Sequence, residues 1–229
     1  MRRFAFEMGL YRCCALPFAV VTVIAQALWA EPASAQSSLA WKSCMGEAGW
    51  HNELQVSGCN LVIQSGKTTE KQLAVVYHRR GRAFWEKRDY EHAIGDFDEA
   101  IRLDPNLALA YADRCFARAQ LAQIRNLDVG GERRSALKDC NEALRRWENY
   151  SVAHTTRGFI YLKLSNFDSA VADFDRALQL WPNSASALYG RGLARLRKGE
   201  ERDGSADIAA AKDISPSLVQ TFERLGFTK

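Results

Sequence analysis

The fold class this sequence predicts is an all-helical stack of antiparallel helix pairs, an α-solenoid, and three observations predict it. The first is a recurring dipeptide: Arg80-Gly81, Arg114-Cys115, Arg157-Gly158 and Arg191-Gly192, at steps of 34, 43 and 34 residues. The second is that later positions keep the same phase. Ala93, Ala136, Ala170 and Gly204 correspond, as do Phe97, Cys140, Phe174 and Ile208, then Ala100, Ala143, Ala177 and Ala211, and Pro105, Pro182 and Pro216 close three of the four copies. The third is helical apolar spacing within a copy, with Tyr77, Gly81 and Phe84 at i, i+4 and i+7 and Ala93, Phe97, Ala100 and Ile101 repeating it. Repetition at this period means supersecondary units that bury their apolar faces only by stacking, and such arrays usually bind rather than transform.

Residues 1–35 read as a secretory signal peptide. Arg2, Arg3 and Arg12 make a basic start, residues 15–30 are largely apolar, and Ala33-Ser34-Ala35 is a small-residue cleavage site. Cleavage after Ala35 places the mature chain in the periplasm or outside the cell. The apolar run is short for a spanning helix, which needs about 20 residues, and an uncleaved membrane anchor is the alternative. Cleavage takes away three basic and two acidic side chains, leaving 28 against 25. That near balance, without a basic run or an aromatic-basic stripe, gives no sign of nucleic-acid binding.

Residues 36–73 form a cap, a diverged half-repeat in which Cys59, Val62 and Ile63 share the phase of Phe97, Ala100 and Ile101. Four cysteines remain after cleavage, Cys44, Cys59, Cys115 and Cys140, and in an oxidising compartment an even count invites disulfides. Four cysteines allow three pairings. The repeat phase favours Cys44–Cys59, which flank a turn, and Cys115–Cys140, on the two helices of one copy. Buried free thiols packing as small apolar groups are the alternative.

Four copies follow, at 74–107, 108–150, 151–184 and 185–216. In the first, Lys87-Arg88-Asp89-Tyr90 breaks the helical phase between two helices, and Pro105 ends the second because it lacks an amide. The second copy carries nine extra residues, expected to lengthen both helices around Leu127-Asp128-Val129-Gly130-Gly131. Residues 217–229 read as a truncated capping helix, with Phe222, Leu225 and Gly226 in phase with a further copy.

The run Tyr77-x2-Arg80-Gly81-x2-Phe84, with Ala93, Phe97, Ala100 and Pro105, resembles the tetratricopeptide repeat pattern. Gly158, Tyr161, Ala170, Phe174, Ala177 and Pro182 match it too. The second copy departs, with Cys115 for the glycine, Arg118 for the aromatic and Glu148 for the proline; the fourth has Arg195 for the aromatic and Gly204 for the alanine. The resemblance implies a right-handed solenoid whose concave face is lined by the first helix of each copy. On that basis the lining is Val75, His78, Arg82 and Trp85, then Leu109, Ala112 and Phe116, then Val152, Thr155, Phe159 and Leu162, then Tyr189, Leu193 and Leu196. Such an apolar, aromatic face implies a docked protein or peptide, with Trp85, Phe116, Phe159 and Tyr189 as anchors and Arg82 and Lys163 steering a charged flank. The alternative is that these residues contact one another, or that a terminal segment fills the groove. The carboxylate clamp known in some tetratricopeptide proteins is missing: His78, Arg82, Asp113, Val152 and Thr156 hold its positions, and only Arg82 suits a carboxylate.

An Arg/Asp couple recurs in every copy. Arg80 and Asp96, Arg157 and Asp173, and Arg191 and Asp207 are 16 residues apart, and Arg114 and Asp139 are 25 apart across the insertion. Structural ion pairs that set the stacking register account for it better than a charged ligand site. His51, His78, His92 and His154 fall at different phases, and no phosphate loop or nucleophile elbow occurs. Cys44, His51 and Cys59 fit no usual zinc spacing. The expectation is therefore no enzyme, cofactor or metal, but an exported scaffold that holds an envelope protein or peptide in its concave groove. A structural array that self-associates, or is tethered at the membrane, is the other reading.

Overall fold

The computed structural model describes residues 33–47, 52–124 and 131–228. The expected leader falls mainly on residues outside that description, as do residues 125–130 of the expected insertion. Among the described residues all regular structure is helical. The cap comprises α1 (Ala33–Met45) and α2 (Asn52–Ser65), and the first copy comprises α3 (Glu70–Glu86) and α4 (Tyr90–Leu103). The second copy is α5 (Ala108–Ile124) with α6 (Gly131–Arg146), and the third is α7 (Ser151–Lys163) with α8 (Phe167–Leu180). The fourth is α9 (Ala185–Arg197) with α10 (Glu201–Ile214), and α11 (Pro216–Arg224) follows.

Local chemistry sets the helix ends. Thr69 and Gln72 form a capping box that starts α3 four residues ahead of the repeat boundary at 74. Asp89 and Asn166 cap α4 and α8 by accepting from the amides of His92 and Ser169. The turn inside a copy is a left-handed helix end. Arg88 and Ser165 take φ values of 61° and 58°, and paired backbone bonds close each turn, Asp89 N to Phe84 O and Asn166 N to Tyr161 O. The insertion lengthens both helices: α5 has 17 residues where α7 has 13, and α6 has 16 where α8 has 14.

Helices pack in pairs within each copy and then copy on copy. First helices of successive copies touch one another, from α1 to α3, α5, α7 and α9, whereas second helices touch only first helices. The inner layer is therefore the tighter one, which makes the first-helix face concave. Within each pair a small residue meets a large one. A Cβ on Gly81 would stand 2.8 Å from Phe97 Cε1, and one on Gly158 would stand 2.8 Å from Phe174 Cε1. Gly190 of the next copy closes on the Phe174 ring from the other side. In the second copy the corresponding pair is a disulfide, Cys115–Cys140, and in the cap it is Cys44–Cys59. All four cysteines are fully buried.

Arginine ties the copies together. Each one grips the aspartate of its own copy through Nε and Nη2, as Arg80 does Asp96 at 2.8 and 2.6 Å, and Arg114, Arg157 and Arg191 do the same with Asp139, Asp173 and Asp207. Its Nη1 reaches back to the preceding second helix, to Asn60, Asp98, Asn141 or Asp175. This third contact was legible as an acid or amide two residues after each aspartate, and the position becomes Ala209 in the last copy, where no further arginine follows. Where the repeat pattern loses its aromatic, Arg118 and Arg195 add a second cation to Asp139 and Asp207, at 2.6 and 2.8 Å.

Candidate functional site in the concave channel

The inner face carries one apolar channel with two unlike halves. The first is open and runs over α3, α5 and the start of α7. It forms a cavity of about 260 Å³ lined by Arg82, Trp85, Leu109, Ala112, Asp113, Phe116, Tyr150 and Val152. Trp85 and Phe116 meet edge to face with centroids 5.4 Å apart. Val152 is 52% exposed and Leu109 36%, so apolar surface faces solvent here with no covering partner among the described residues. Burial, with the negative charge of Asp113 adding to it, pushes the Tyr150 hydroxyl above its ordinary range, while Arg82 opposes. That phenol stays neutral at physiological pH.

Three polar side chains of this half engage one another, whereas the buried Trp85 Nε1 has no hydrogen-bond partner among the described residues. His78 is buried and its Nε2 lies 2.8 Å from Asp113 Oδ2. Arg82 Nε approaches the same oxygen at 3.9 Å. Asp113 thus offsets the one side chain at the clamp positions suited to a carboxylate. His78 was expected in the lining; the structure places it beneath the lining as support for Asp113. Val75 is half-buried higher on α3.

The second half is a cavity of about 550 Å³ between α5, α7 and the C-terminal segment, with Phe116, Val152, Phe159, Ile160 and Lys163 on one side and Phe222, Leu225 and Phe227 on the other. The chain's own end fills part of the groove here. Phe222 stacks on Phe159 at 4.9 Å and on Tyr189 at 5.5 Å, and Phe227 meets Phe159 edge to face at 5.1 Å. Tyr189 and Leu193 were expected as exposed partner contacts. Both are 2% exposed, packed with Val219, Ile208 and Ala211 under α11. Leu162 and Leu196 pack against the same cluster. The correction has a simple cause: α11 takes the place of the first helix of a fifth copy, against α9 and α10, and the chain beyond it turns into the groove.

Lys163 is at the centre of this half. Its Nζ donates to Gly226 O at 3.3 Å and lies 4.0 Å from the Phe227 ring centroid. Burial holds its pKa below the ordinary lysine range, and the nearby charges of Arg133 and Arg197 press the same way.

Behind the channel, Asp173 gathers two partners, Arg157 and His154, with His154 Nδ1 at 3.0 Å and His154 Nε2 turned to Glu148 O at 2.9 Å. Burial alone would raise the Asp173 pKa, but the hydrogen bonds from Arg157 and His154 outweigh it and hold the carboxyl below its usual range. A depressed pKa of this sign stabilises the fold above the ordinary carboxylate value of about 3.9, and the contribution is lost as pH falls through the lowered value. Among the described residues no three His, Cys, Asp or Glu side chains are placed to hold a metal ion, and no helix is long and apolar enough to cross a membrane.

Residues 74–107 and residues 155–217 each match a tetratricopeptide repeat family. The chain is a tetratricopeptide repeat protein. A 78-residue stretch is 37% identical to the mitochondrial import receptor subunit TOM70 of Homo sapiens, covering 34% of this chain and 12% of that protein. A 72-residue stretch is 36% identical to TOM70 of Rattus norvegicus, again 12% of its length. The chain thus matches only about an eighth of each of these relatives. Solved tetratricopeptide structures share the fold. MamA of Desulfovibrio magneticus RS-1, from residue 41 to its end, superposes with a TM-score of 0.65 at 15% identity, over 80% of this chain and 96% of that one. YrrB, described as a TPR protein with an unusual peptide-binding site, gives 0.60 at 19% identity over 90% and 97%. These likenesses show the repeat fold, and the two buried disulfides suit an oxidising extracellular or periplasmic setting.

Proposed function

We propose that this protein is an exported scaffold that captures an apolar segment of another envelope protein in its concave channel. The observation that carries the reading is the open half of the channel, where Trp85, Leu109, Phe116 and Val152 present contiguous apolar surface beside the mutually engaged His78, Arg82 and Asp113. Apolar surface of this kind, left uncovered by the described residues, is what a docked segment covers. Export is supported by the basic, apolar and small-residue order of residues 1–35 and by the disulfides. The kinship with TOM70, an import receptor subunit, and with YrrB supports binding of a protein or peptide in general terms.

Crosslinked affinity capture in the native host tests it, comparing wild type with Val152→Glu/Leu109→Glu. Both side chains are exposed enough to change without disturbing the core. Phe159 is a poorer choice, because it supports Phe222 and Phe227. The expected result is one envelope protein recovered with wild type and reduced about 10-fold or more with the variant, as for loss of a central contact of at least 1.4 kcal/mol. Equal recovery by a folded variant removes the open channel as the binding site.

A further inference from the structure

The C-terminal segment does more than close the last repeat. Val219 is the buried centre of the capping, packed with Tyr189, Leu193, Ile208 and Ala211, and Phe222 and Phe227 pack against the same cluster. Beyond it the helix ends in a left-handed turn. Gly226 takes φ +76°, its amide bonds to Glu223 O at 3.1 Å, and the Phe227 amide bonds to Phe222 O at 3.0 Å. That turn sends Phe227 back onto Phe159 and Lys163. Four side chains of the inner face then donate to four successive backbone carbonyls. Gln123 Nε2 reaches Leu225 O at 2.7 Å, Lys163 Nζ reaches Gly226 O at 3.3 Å, Tyr189 Oη reaches Phe227 O at 2.7 Å and Arg197 Nη2 reaches Thr228 O at 3.4 Å. The donors come from the first helices of three consecutive copies, and Gln123 is 102 residues from its acceptor. A cap over the fourth copy has no need of contacts two copies away. A groove that holds a segment by its main chain, with rings seated at fixed spacing, has that need.

We propose that residues 222–227 are an internal ligand, occupying the half of the channel where a partner's segment docks, so that a partner competes with the chain's own end. This rests on the reading of the channel as a segment-binding site. The chemistry of the occupant defines the partner. It is a helical segment end with aromatic, aliphatic and aromatic side chains in the order of Phe222, Leu225 and Phe227, offering free carbonyls after its last turn. Lys163 and Arg197 donate to the Gly226 and Thr228 carbonyls of that end and Arg133 lines the same cavity, so the partner carries an acidic flank or a terminal carboxylate just beyond the second ring. Because the tail is tethered, its effective concentration is high, and the apparent affinity for a partner is lowered by the fraction of chains in which the groove is free.

The probe is a fluorescent synthetic peptide of residues 216–229, titrated by anisotropy into the intact chain and into the intact chain carrying Phe222→Ser/Phe227→Ser. A displaceable tail predicts that the variant binds the probe about 10-fold tighter than wild type or better, corresponding to a groove free in a tenth of wild-type chains or fewer. A probe with the same two serines should bind neither. Equal or weaker binding by a folded variant overturns the proposal and makes the tail a fixed wall of the cavity. If circular dichroism shows that the variant has lost helix, wild type alone decides. Amide exchange in residues 222–227 is then measured with and without excess isotopically heavy probe. Faster exchange with the probe supports displacement, and unchanged exchange overturns it. Flat tail readouts together with partner loss in Val152→Glu/Leu109→Glu would discard the internal ligand and leave the channel reading standing.

Discussion

In the third copy an aromatic ring fills the space between paired helices, and in the second a covalent bond does. Phe174 lies between Gly158 and Gly190, close enough that a Cβ on either would collide with the ring. At the matching positions the second copy has Cys115 and Cys140, joined as a disulfide. The difference teaches that the array needs a matched pair at this place rather than a particular residue. It also shows where the repeat tolerates change. The covalently closed copy is the one with the insertion, with Arg118 in place of an aromatic, and with two arginines on one aspartate. The ring-packed copy keeps its glycine, its tyrosine and its regular length, and it completes Asp173 with His154 in place of a second arginine.

The most damaging way to break this comparison is Asp139→Ala. Asp139 is buried and accepts from both Arg114 and Arg118, so its loss leaves two partly buried guanidinium groups sharing only the half-exposed Asp98. The expected cost is about 3–5 kcal/mol in urea unfolding, as for breaking one side of a buried pair. A value under about 1 kcal/mol would mean that the network does not hold the second copy. Next comes Cys115→Ser/Cys140→Ser, expected to cost about 2–4 kcal/mol by the same measurement, since the link restricts the unfolded chain. The cap disulfide stays intact in that variant, so the loss reports the second copy alone. Gly158→Ala is the mildest and sharpens the comparison from the other side. The added methyl meets the Phe174 ring at 2.8 Å, and overpacking of this kind costs about 1–3 kcal/mol. A neutral result would show that the ring is free to shift, which Gly190 on its other face opposes.

Much of the molecule was legible because its rules are local or periodic. Helix pairs follow from apolar spacing, and the Arg/Asp couples at 16 residues, or 25 across the insertion, follow from phase alone. The reach of each arginine to Asn60, Asp98, Asn141 or Asp175 is equally periodic, and the change to Ala209 in the last copy is its signal. The candidate site was legible only in part. Leu109, Phe116 and Val152 line the open channel, but Leu193, in phase with Phe116, is buried, and so are Tyr189 and His78, which share a phase with each other.

By itself the sequence determined the repeat register, the pairing of helices and the residues that meet inside each pair, since these depend on positions a fixed step apart. The tertiary structure alone decided which stretch of the inner face stays open. Gln123 meets Leu225 across 102 residues, an encounter set by the curvature of the stacked array and the direction of its final turn. No periodic pattern encodes that meeting, because the tail occurs once and its binding site is assembled from three different copies.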